Sequence, residues 1–394
     1  MPEQQPRGAL DGVRVLDVAT MLAAGHMTSL MADFGADVVH VEMPERGDSL
    51  RGMGPFQDGQ SLRWAVLGRG KRSITADLHH ADGQERVRQL AASADVVVEN
   101  FRPGTLDKWG LGYEELRKHN PGLIMVSITG YGQTGPKRQM PGFGRVLEAV
   151  SGLMNNTGEA DGPPMQIGVP LVDYIAGMNA AMAVSMALYH RDAHPDGTGQ
   201  QIDVSLYETM IRLLDPLITR YGATGQVSTR TGNRYVNVAP SDVYRTRDGR
   251  WVFHSSATQT VFVRLARAIG RDDLLADPAF ATNAARIEHP DDVNDIVQAW
   301  FAAHDFDEVM AVMDDNDVPV GPVNTMREVA ADEQLRERES LIDFDIAGLG
   351  SVLMPGLVPK FSKTPGHIAH GGPRLGAHDG QPLGWPEPDP EVQR

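Results

Sequence analysis

The sequence predicts an α/β fold in which helices cover both faces of a parallel sheet. The first observation is a strand–helix–strand unit: residues 13–18 and 37–42 are short apolar runs, and an apolar helical segment over 22–34 separates them. Two neighbouring parallel strands need a crossover of this kind. The second observation is that strand and helix patterns keep alternating after this unit. Such alternation is typical of a Rossmann-like, doubly wound domain.

The later elements of this domain follow from the spacing of their apolar residues. Strands are predicted over 73–78, 95–99, 123–129 and 199–205. Helices are predicted over 83–93, 112–119, 171–190 and 206–222. The third of these helices is rich in Ala and Met and apolar on nearly all sides. We therefore expect it to be a buried helix of the core rather than a membrane span.

A second, smaller domain is predicted where the pattern changes near residue 225. Asp248-Gly249 lies between two runs with apolar and aromatic residues, which is a strong hairpin signal. Helices are predicted after it over 260–269, 291–303 and 306–315.

The predicted domain organisation is discontinuous along the chain. The boundaries are 1–224 for the first part of the large α/β domain, 225–324 for a small α+β domain, and 325–394 for a C-terminal segment that returns to the large domain. Residues 1–7 and the proline-rich end from Gly384 are expected to be loose tails.

Composition excludes several classes of function. The chain has no cysteine, which rules out disulfides, thiolate metal sites and a cysteine nucleophile. The net charge of −16 argues against nucleic-acid binding, which requires clustered Lys and Arg. The first residues lack the pattern of a signal peptide, so we expect a cytoplasmic protein without membrane partners. His367, His370 and His378 lack a helical framework and an acidic ligand at a diagnostic spacing, so no metal site is predicted.

Asp173 is the most informative single residue. It is the only charged residue between Pro170 and Tyr189, on the predicted apolar helix. An ionised carboxylate is costly to bury without partners. From the residues alone two interpretations stay open: Asp173 stabilises the N-terminus of this helix, or it performs chemistry.

Two further segments have the composition of binding loops. Gly130-Tyr131-Gly132 begins a G-x-G-x-x-G pattern directly after a predicted strand, but Pro136 follows at once and does not open the helix of a dinucleotide site. We interpret it as a substrate-site loop, with a structural turn as the alternative. Lys71 and Arg72 follow two glycines without the Ser or Thr of a phosphate-binding loop, so they are either a local anion contact or a solvated basic turn.

Ordered motifs along nearly the whole chain carry a family resemblance. They are Leu10–Asp17, Ala32–Val39, Glu99–Gly104, Asn120–Pro121, Gly130–Pro136, Thr157–Pro164 with Gly168 and Asp173, Gly197–Gln200, Asp203–Ser205, Arg245–Trp251 and Val320–Val323. With these motifs the chain resembles the class III (formyl-CoA transferase-like) CoA-transferase family, which also contains α-methylacyl-CoA racemases. Such enzymes move CoA between an acyl-CoA thioester and a carboxylic acid, and they hold no permanent cofactor.

The resemblance implies a role for each candidate residue. Asp173 matches the family's catalytic carboxylate, which forms aspartyl anhydride and aspartyl-CoA thioester intermediates. The resemblance also implies coenzyme A contacts at Met21, Leu22, Asn100, Phe101 and Lys108, and the anion contact inferred above adds Lys71 and Arg72 to the coenzyme candidates. Acid-substrate contacts are expected at Gly130, Tyr131, Gly132 and Arg145. Arg145, with a sub-pattern associated with succinyl-CoA-dependent members, indicates succinyl-CoA or a dicarboxylic acid as substrate, and a structural arginine is the alternative. His40 and Met43 depart from the family's frequent Lys and Arg, so the nucleotide contacts at 40–43 are not carried over.

Three alternatives to a CoA-transferase stay open. A racemase needs a base on each face of the α-carbon, and its expected His is absent near Phe143. A noncatalytic CoA-binding subunit of a heteromeric transferase would not need Asp173. A nicotinamide oxidoreductase would need the dinucleotide loop rejected above. The resemblance also implies an interlocked homodimer.

Overall fold

Six parallel strands form the central sheet of the structure, a computed structural model that describes residues 8–386. The strands are β1 (Arg14–Asp17), β2 (Asp37–Glu42), β3 (Lys71–Thr75), β4 (Val96–Glu99), β5 (Ile124–Thr129) and β6 (Gln201–Ser205). Their order across the sheet is β3-β2-β1-β4-β5-β6. The prediction of a mixed α/β fold with a parallel central sheet is confirmed. The strand order reverses between β1 and β4, and ligands of open α/β sheets bind at such a point.

Helices and short strands make up the rest of the regular structure. The helices are α1 (Leu22–Asp33), α2 (Leu62–Leu67), α3 (Ala81–Ala91), α4 (Thr105–Lys108), α5 (Tyr113–Leu116), α6 (Gly144–Val150), α7 (Leu171–Ala193), α8 (Leu206–Leu213), α9 (Asp215–Thr224), α10 (Gln259–Ala268), α11 (Asp273–Ala276), α12 (Asn283–Glu288), α13 (Pro290–Ala303), α14 (Phe306–Asp315), α15 (Met326–Ala330) and α16 (Glu333–Glu337). Short 3-10 turns lie at Ser49–Gly52 and Met154–Asn156. The later strands are β7 (Ser241–Arg245), β8 (Trp251–Ser255), β9 (Val320–Pro322), β10 (Leu341–Ile346) and β11 (Gly350–Pro355), and two-residue strands lie at Phe56–Gln57 and Gln60–Ser61.

Helices cover both faces of the central sheet. Because side chains alternate along a strand, Val15 of β1 packs with α1 and α7 on one face. Its neighbour Leu16 packs with α3 on the other face. The strands are therefore buried on both sides, which explains their continuous apolar runs in the sequence.

The described chain divides into two compact units. Residues 8–153, 167–225 and 333–386 form the unit that contains the central sheet. Residues 154–166 and 226–332 form the other unit. Inside this second unit an antiparallel sheet of order β9-β8-β7 packs on helices around Tyr244 and Phe301, and the hairpin predicted at Asp248-Gly249 joins β7 to β8.

Local sequence explains where the observed elements differ from the predicted ones. The helix predicted over 206–222 is two helices, α8 and α9, because Pro216 lies in the first turn of α9 and lacks the N–H that a continuous helix needs. Strand β3 begins at Lys71 rather than at Ser73, since Lys71 pairs with Val38 of β2. Trp385, in the expected C-terminal tail, donates its Nε1–H to Asp37 over 2.7 Å. Residues 1–7 and 387–394 of the expected tails lie outside the described residues.

The long apolar helix α7 is only partly buried, which corrects the prediction of burial on nearly all sides. One side packs on α1, where Gly177 allows the two backbones to approach: a Cβ added there would lie 2.5 Å from the carbonyl oxygen of Ala23. The opposite side exposes a line of large apolar side chains. These are Met178, Met182, Met186 and Tyr189. By length and composition alone α7 could also cross a membrane.

Candidate active site

A cavity of about 280 Å³ lies at the carboxyl ends of the parallel strands, where the strand order reverses. The loop after β1 contributes Thr20 and Met21, and the loop after β4 contributes Asn100 and Phe101. Asp173 reaches the same cavity from the first turn of α7. The sheet and α7 therefore bring together residues that are far apart in the chain.

The carboxyl group of Asp173 is half-buried and does not cap its helix. Pro170 occupies the N-cap position, and Asp173 lies two residues inside the first helical residue, Leu171. Burial raises the pKa of Asp173 to about 6, and a hydrogen bond from its own backbone N–H and the charges of Arg145 and Arg63 oppose this rise. A carboxylate with a raised pKa is a better base and nucleophile than an ordinary aspartate.

Gly144, the first residue of α6, makes room for this carboxyl group. A Cβ added to Gly144 would lie 2.0 Å from Oδ2 of Asp173, which is far inside van der Waals contact. Gly144 is itself buried. The position of Asp173 therefore depends on the absence of a side chain at residue 144.

Side chains hold three successive backbone N–H groups of the loop after β1. Ala19 N–H donates to Oδ1 of Asp17 over 3.1 Å. Thr20 N–H donates to the Asn100 side chain over 3.0 Å, and the Asn100 amide donates back to the Thr20 carbonyl over 2.5 Å. Met21 N–H donates to Oδ1 of Asp48 over 3.3 Å. Asn100 therefore stabilises this loop by bonding both backbone polar groups of Thr20.

Met21 has a backbone conformation that is ordinarily restricted to glycine. Its φ is 72° and its ψ is −164°. A residue with a side chain in this region carries strain of about 1–3 kcal/mol, which the surrounding structure must offset. Met21 is directly followed by α1, and it lines the cavity that Asp173 enters.

A buried group of charges lies behind this loop. His40 has Nδ1 3.0 Å from Oδ2 of Asp17 and Nε2 3.2 Å from Oδ2 of Asp48. Burial alone would lower the pKa of His40, but Asp17 and Asp48 raise it to about 9, so the imidazole is charged at neutral pH. Burial would raise the pKa of Asp17, but the positive charges of His40 and Lys71 lower it to about 2.

The positions of Lys71 and Arg72 do not support a role in binding coenzyme A. Lys71 is buried in β3, with its ammonium 3.4 Å from Asp17 and 3.2 Å from the Gly25 carbonyl. Arg72 pairs with Asp37 and donates to the Leu383 carbonyl. The basic segment is part of strand β3 and not a solvated turn, which corrects that interpretation, whereas the anion contact stays a prediction.

Two other coenzyme candidates lie apart from the cavity wall. Leu22 is buried in a small apolar cluster with Leu50 and Trp64. Lys108 is an exposed residue at the end of α4. Only Met21, Asn100 and Phe101 of the predicted coenzyme set line the cavity.

The glycine-rich loop after β5 shapes the cavity through its backbone. Gly130 packs against Gly142, and a Cβ on Gly130 would lie 2.9 Å from the Gly142 Cα. Gly132 has a φ of 85°, and its N–H donates to the Thr129 hydroxyl. Of the three predicted loop residues, Gly130 lines the cavity, whereas Tyr131 packs on the core and contacts the Tyr207 ring.

Arg145 lies beside the segment that leads into α7. Its guanidinium donates to the Ile167 carbonyl over 3.1 Å. The buried carboxylate of Glu148, one turn later in α6, accepts from the Ile167 N–H over 2.7 Å. Helix α6 therefore holds both polar groups of residue 167, six residues before Asp173.

Sequence reasoning missed two cationic residues of the cavity, Arg102 and Arg138. Both are exposed, and both could meet an anionic substrate. Arg102 directly follows the Asn100-Phe101 pair, so the motif itself carried the signal. Arg138 is six residues beyond Gly132, in a loop whose path back to the cavity has no local signal.

We predict that ionisation of Asp173 destabilises the folded protein. Its folded pKa of about 6 exceeds the ordinary value of 3.8, so the stabilisation present at low pH is lost as pH rises through about 6. D173N should therefore be more stable than wild type above pH 7, by on the order of 1–2 kcal/mol after allowance for solvent, and this gain should vanish near pH 4. Urea unfolding at both pH values measures it.

The matched control is D82N, which changes an exposed aspartate in the first turn of α3. It should show no comparable gain above pH 7. A D173N effect of equal size at both pH values would contradict the raised pKa of Asp173.

Comparison with known proteins identifies the family of this chain. The model of CoA-transferase family III matches residues 10–379. The chain is 43% identical over 380 residues to succinyl-CoA–D-citramalate CoA-transferase of Chloroflexus aurantiacus, covering 96% of this chain and 94% of that protein. It is 42% identical over 373 residues to the beta subunit of succinyl-CoA–L-malate CoA-transferase of the same organism, covering 94% and 92%.

A solved structure agrees with this result. The crystal structure of a CAIB/BAIF family protein from Brucella suis superposes with a TM-score of 0.83 at 35% identity, covering 94% of this chain and 97% of that one. The resemblance seen in the motifs is confirmed: the chain belongs to CoA-transferase family III and is a CoA-transferase.

Proposed function

We propose that this enzyme transfers CoA from succinyl-CoA to a small dicarboxylic acid, with Asp173 as the nucleophile. The observation that carries the proposal is the half-buried Asp173, with its raised pKa, in the cavity where the strand order reverses. The names of two relatives pair succinyl-CoA with D-citramalate or L-malate, and both acceptors are dicarboxylic acids.

The proposed reaction needs no external cofactor. The Asp173 carboxylate attacks the thioester carbonyl, the C–S bond breaks, and CoA thiolate leaves an aspartyl–succinyl anhydride. The thiolate then attacks the Asp173 carbonyl, which releases succinate and forms an aspartyl-CoA thioester. The acceptor carboxylate attacks this thioester to give a new anhydride and thiolate. Attack of the thiolate on the acceptor's acyl carbonyl releases the new acyl-CoA and regenerates Asp173.

The residues that line the cavity are the first candidates for contacts with the coenzyme. Phe101 and the exposed guanidinium groups of Arg102 and Arg138 are suited to the coenzyme, since cations pair with phosphates and aromatic rings pack on apolar groups. Lys108, outside the cavity, is a candidate for the more distant phosphates. Arg145 is the candidate for the second carboxylate of the acid, because it is exposed and its charge acts on Asp173.

The exposed line of Met178, Met182, Met186 and Tyr189 supports a homodimer as part of the proposal. An apolar groove of about 220 Å³ lies beside it, between Met182, Phe34 and Phe361. Contiguous apolar surface of this kind marks protein–protein contacts in soluble proteins. A second copy that covers this side would also explain why the whole helix is apolar, and it is compatible with a cytoplasmic enzyme.

The central test combines turnover with trapping of the intermediate. Succinyl-CoA is incubated with a panel of carboxylic acids, and acyl-CoA products are followed by mass spectrometry. Hydroxylamine added with succinyl-CoA should convert Asp173 to the hydroxamate, which adds one NH to its peptide. D173A should lose at least about 10³-fold in kcat. Wild-type turnover by D173A would sink the proposal, and deuterium exchange at the α-carbon without acid exchange would indicate a racemase.

A smaller substitution tests the geometry of Asp173. G144A should lower kcat about a hundredfold, because the added Cβ displaces the carboxylate that lies 2.0 Å away and small misplacements of reacting groups cost this much. G222A is the matched control, since a Cβ there meets nothing within 4 Å. Equal kcat values for the two variants would show that the carboxylate adapts.

The dimer is tested by changing its proposed surface. Wild type should sediment with the mass of two chains, and M182E should shift this equilibrium to the monomer because it buries a charge in an apolar contact. M326E changes a methionine that is even more exposed than Met182 and lies far along the chain, and it should leave the mass unchanged. A wild-type monomer at micromolar concentration would contradict the homodimer.

A further inference from the structure

The strained loop after β1 depends on a carboxylate outside the cavity. Met21 carries its unusual φ of 72° directly after Ala19 and Thr20, whose N–H groups are held by side chains, and its own N–H donates to Oδ1 of Asp48. Because ordinary residues avoid this conformation, a relaxed Met21 would move its peptide. A moved Met21 would displace both the cavity wall and the start of α1.

Asp48 is itself held rigidly. It is buried, its backbone N–H donates to Glu42 over 2.8 Å, and its Oδ1 also accepts from the Leu50 N–H over 2.7 Å. Its second oxygen, Oδ2, faces Nε2 of His40 at 3.2 Å. His40 in turn is fixed by Asp17, whose carboxylate also accepts from Thr28. The two N–H groups at Oδ1 and the imidazole at Oδ2 therefore fix the orientation of the Asp48 carboxylate.

We propose that Asp48, held by His40, is a positioning residue of the transfer reaction: its carboxylate keeps Met21 in a glycine-like conformation and so sets the wall of the cavity that Asp173 enters. Asp48 touches no substrate in this role and acts through the backbone of residue 21. The inference rests on the proposed function in one respect, namely that the reaction takes place at Asp173.

A simple structural role predicts a different outcome from a positioning role. Asp48 also caps the 3-10 turn Ser49–Gly52, so its removal will lower stability in either case. Only the positioning role makes the catalytic loss depend on the residue at position 21. Glycine accepts the observed φ and ψ without strain, whereas alanine keeps the Cβ that causes it.

The test is a double-mutant cycle that measures kcat for succinyl-CoA with the best acceptor. In the M21A background, D48A should lower kcat by roughly tenfold to a hundredfold. In the M21G background the same D48A change should cost less than about threefold, since no strain is left to offset. M21A and M21G both lack the methionine side chain, so the comparison isolates the backbone.

A second measurement does not require D48A to fold. Replacing glycine by alanine normally stabilises a protein, so M21A should normally be the more stable of the two variants. If Met21 is strained as observed, the order is reversed and M21G resists urea better than M21A. D48N keeps the shape of the side chain and replaces D48A in the cycle if D48A does not fold.

The outcomes separate the two proposals. An equal D48A effect in the M21A and M21G backgrounds, or M21A more stable than M21G, overturns the positioning role of Asp48. Turnover that survives D173A overturns the mechanism at Asp173, and the cycle at residues 21 and 48 still reports on the loop. Loss of turnover in D173A together with a coupled cycle supports both.

Discussion

The approach of α7 to α1 determines where Asp173 lies. The absence of a side chain at Gly177 lets the two helix backbones lie closer than any other residue would allow, since an added Cβ would be 2.5 Å from the Ala23 carbonyl. With α1 fixed on the sheet by Met27 and Met31, α7 is held over the ends of the strands. Its first turn then points at the place where the strand order reverses, and Asp173 occupies that turn.

Two carboxylates at this edge of the sheet, Asp17 and Asp173, have pKa values that are shifted in opposite directions by their surroundings. Asp17 is completely buried but has a pKa of about 2, because His40 and Lys71 lie beside it. Asp173 is less buried but has a pKa of about 6, because the effect of burial exceeds the opposing effects of its backbone N–H, Arg145 and Arg63. Opposite shifts of two acids in one region are typical of a division between structural and reactive groups. Asp17 stabilises the loop, and the raised pKa of Asp173 is compatible with the nucleophilic role proposed for it.

The sequence predicted those features that depend on neighbours in the chain. Apolar runs and their spacing indicated the strands and the main helices, and the lone charge on an apolar segment singled out Asp173. It did not predict that Lys71 is buried, because its partner Asp17 lies on another strand. Nor could it show that Asn100 holds the peptide of Thr20, or that Trp385 packs near Arg72, since these contacts join distant segments. The exposed side of α7 was missed because apolar composition does not distinguish a buried face of a helix from an exposed one.

The backbone conformation of Met21 likewise could not be predicted from the sequence. A positive φ is easily predicted at glycine, where the residue type signals it, but nothing near Met21 in the chain indicates it. Asp17, Asn100 and Asp48 each accept a hydrogen bond from one N–H of the loop that contains Met21. These three side chains come from three separate segments, so the hydrogen bonds that hold the loop cannot be recognised from the sequence of the loop itself. A loop held in this way is preorganised. Preorganisation reduces the entropy that is lost when reacting groups are aligned.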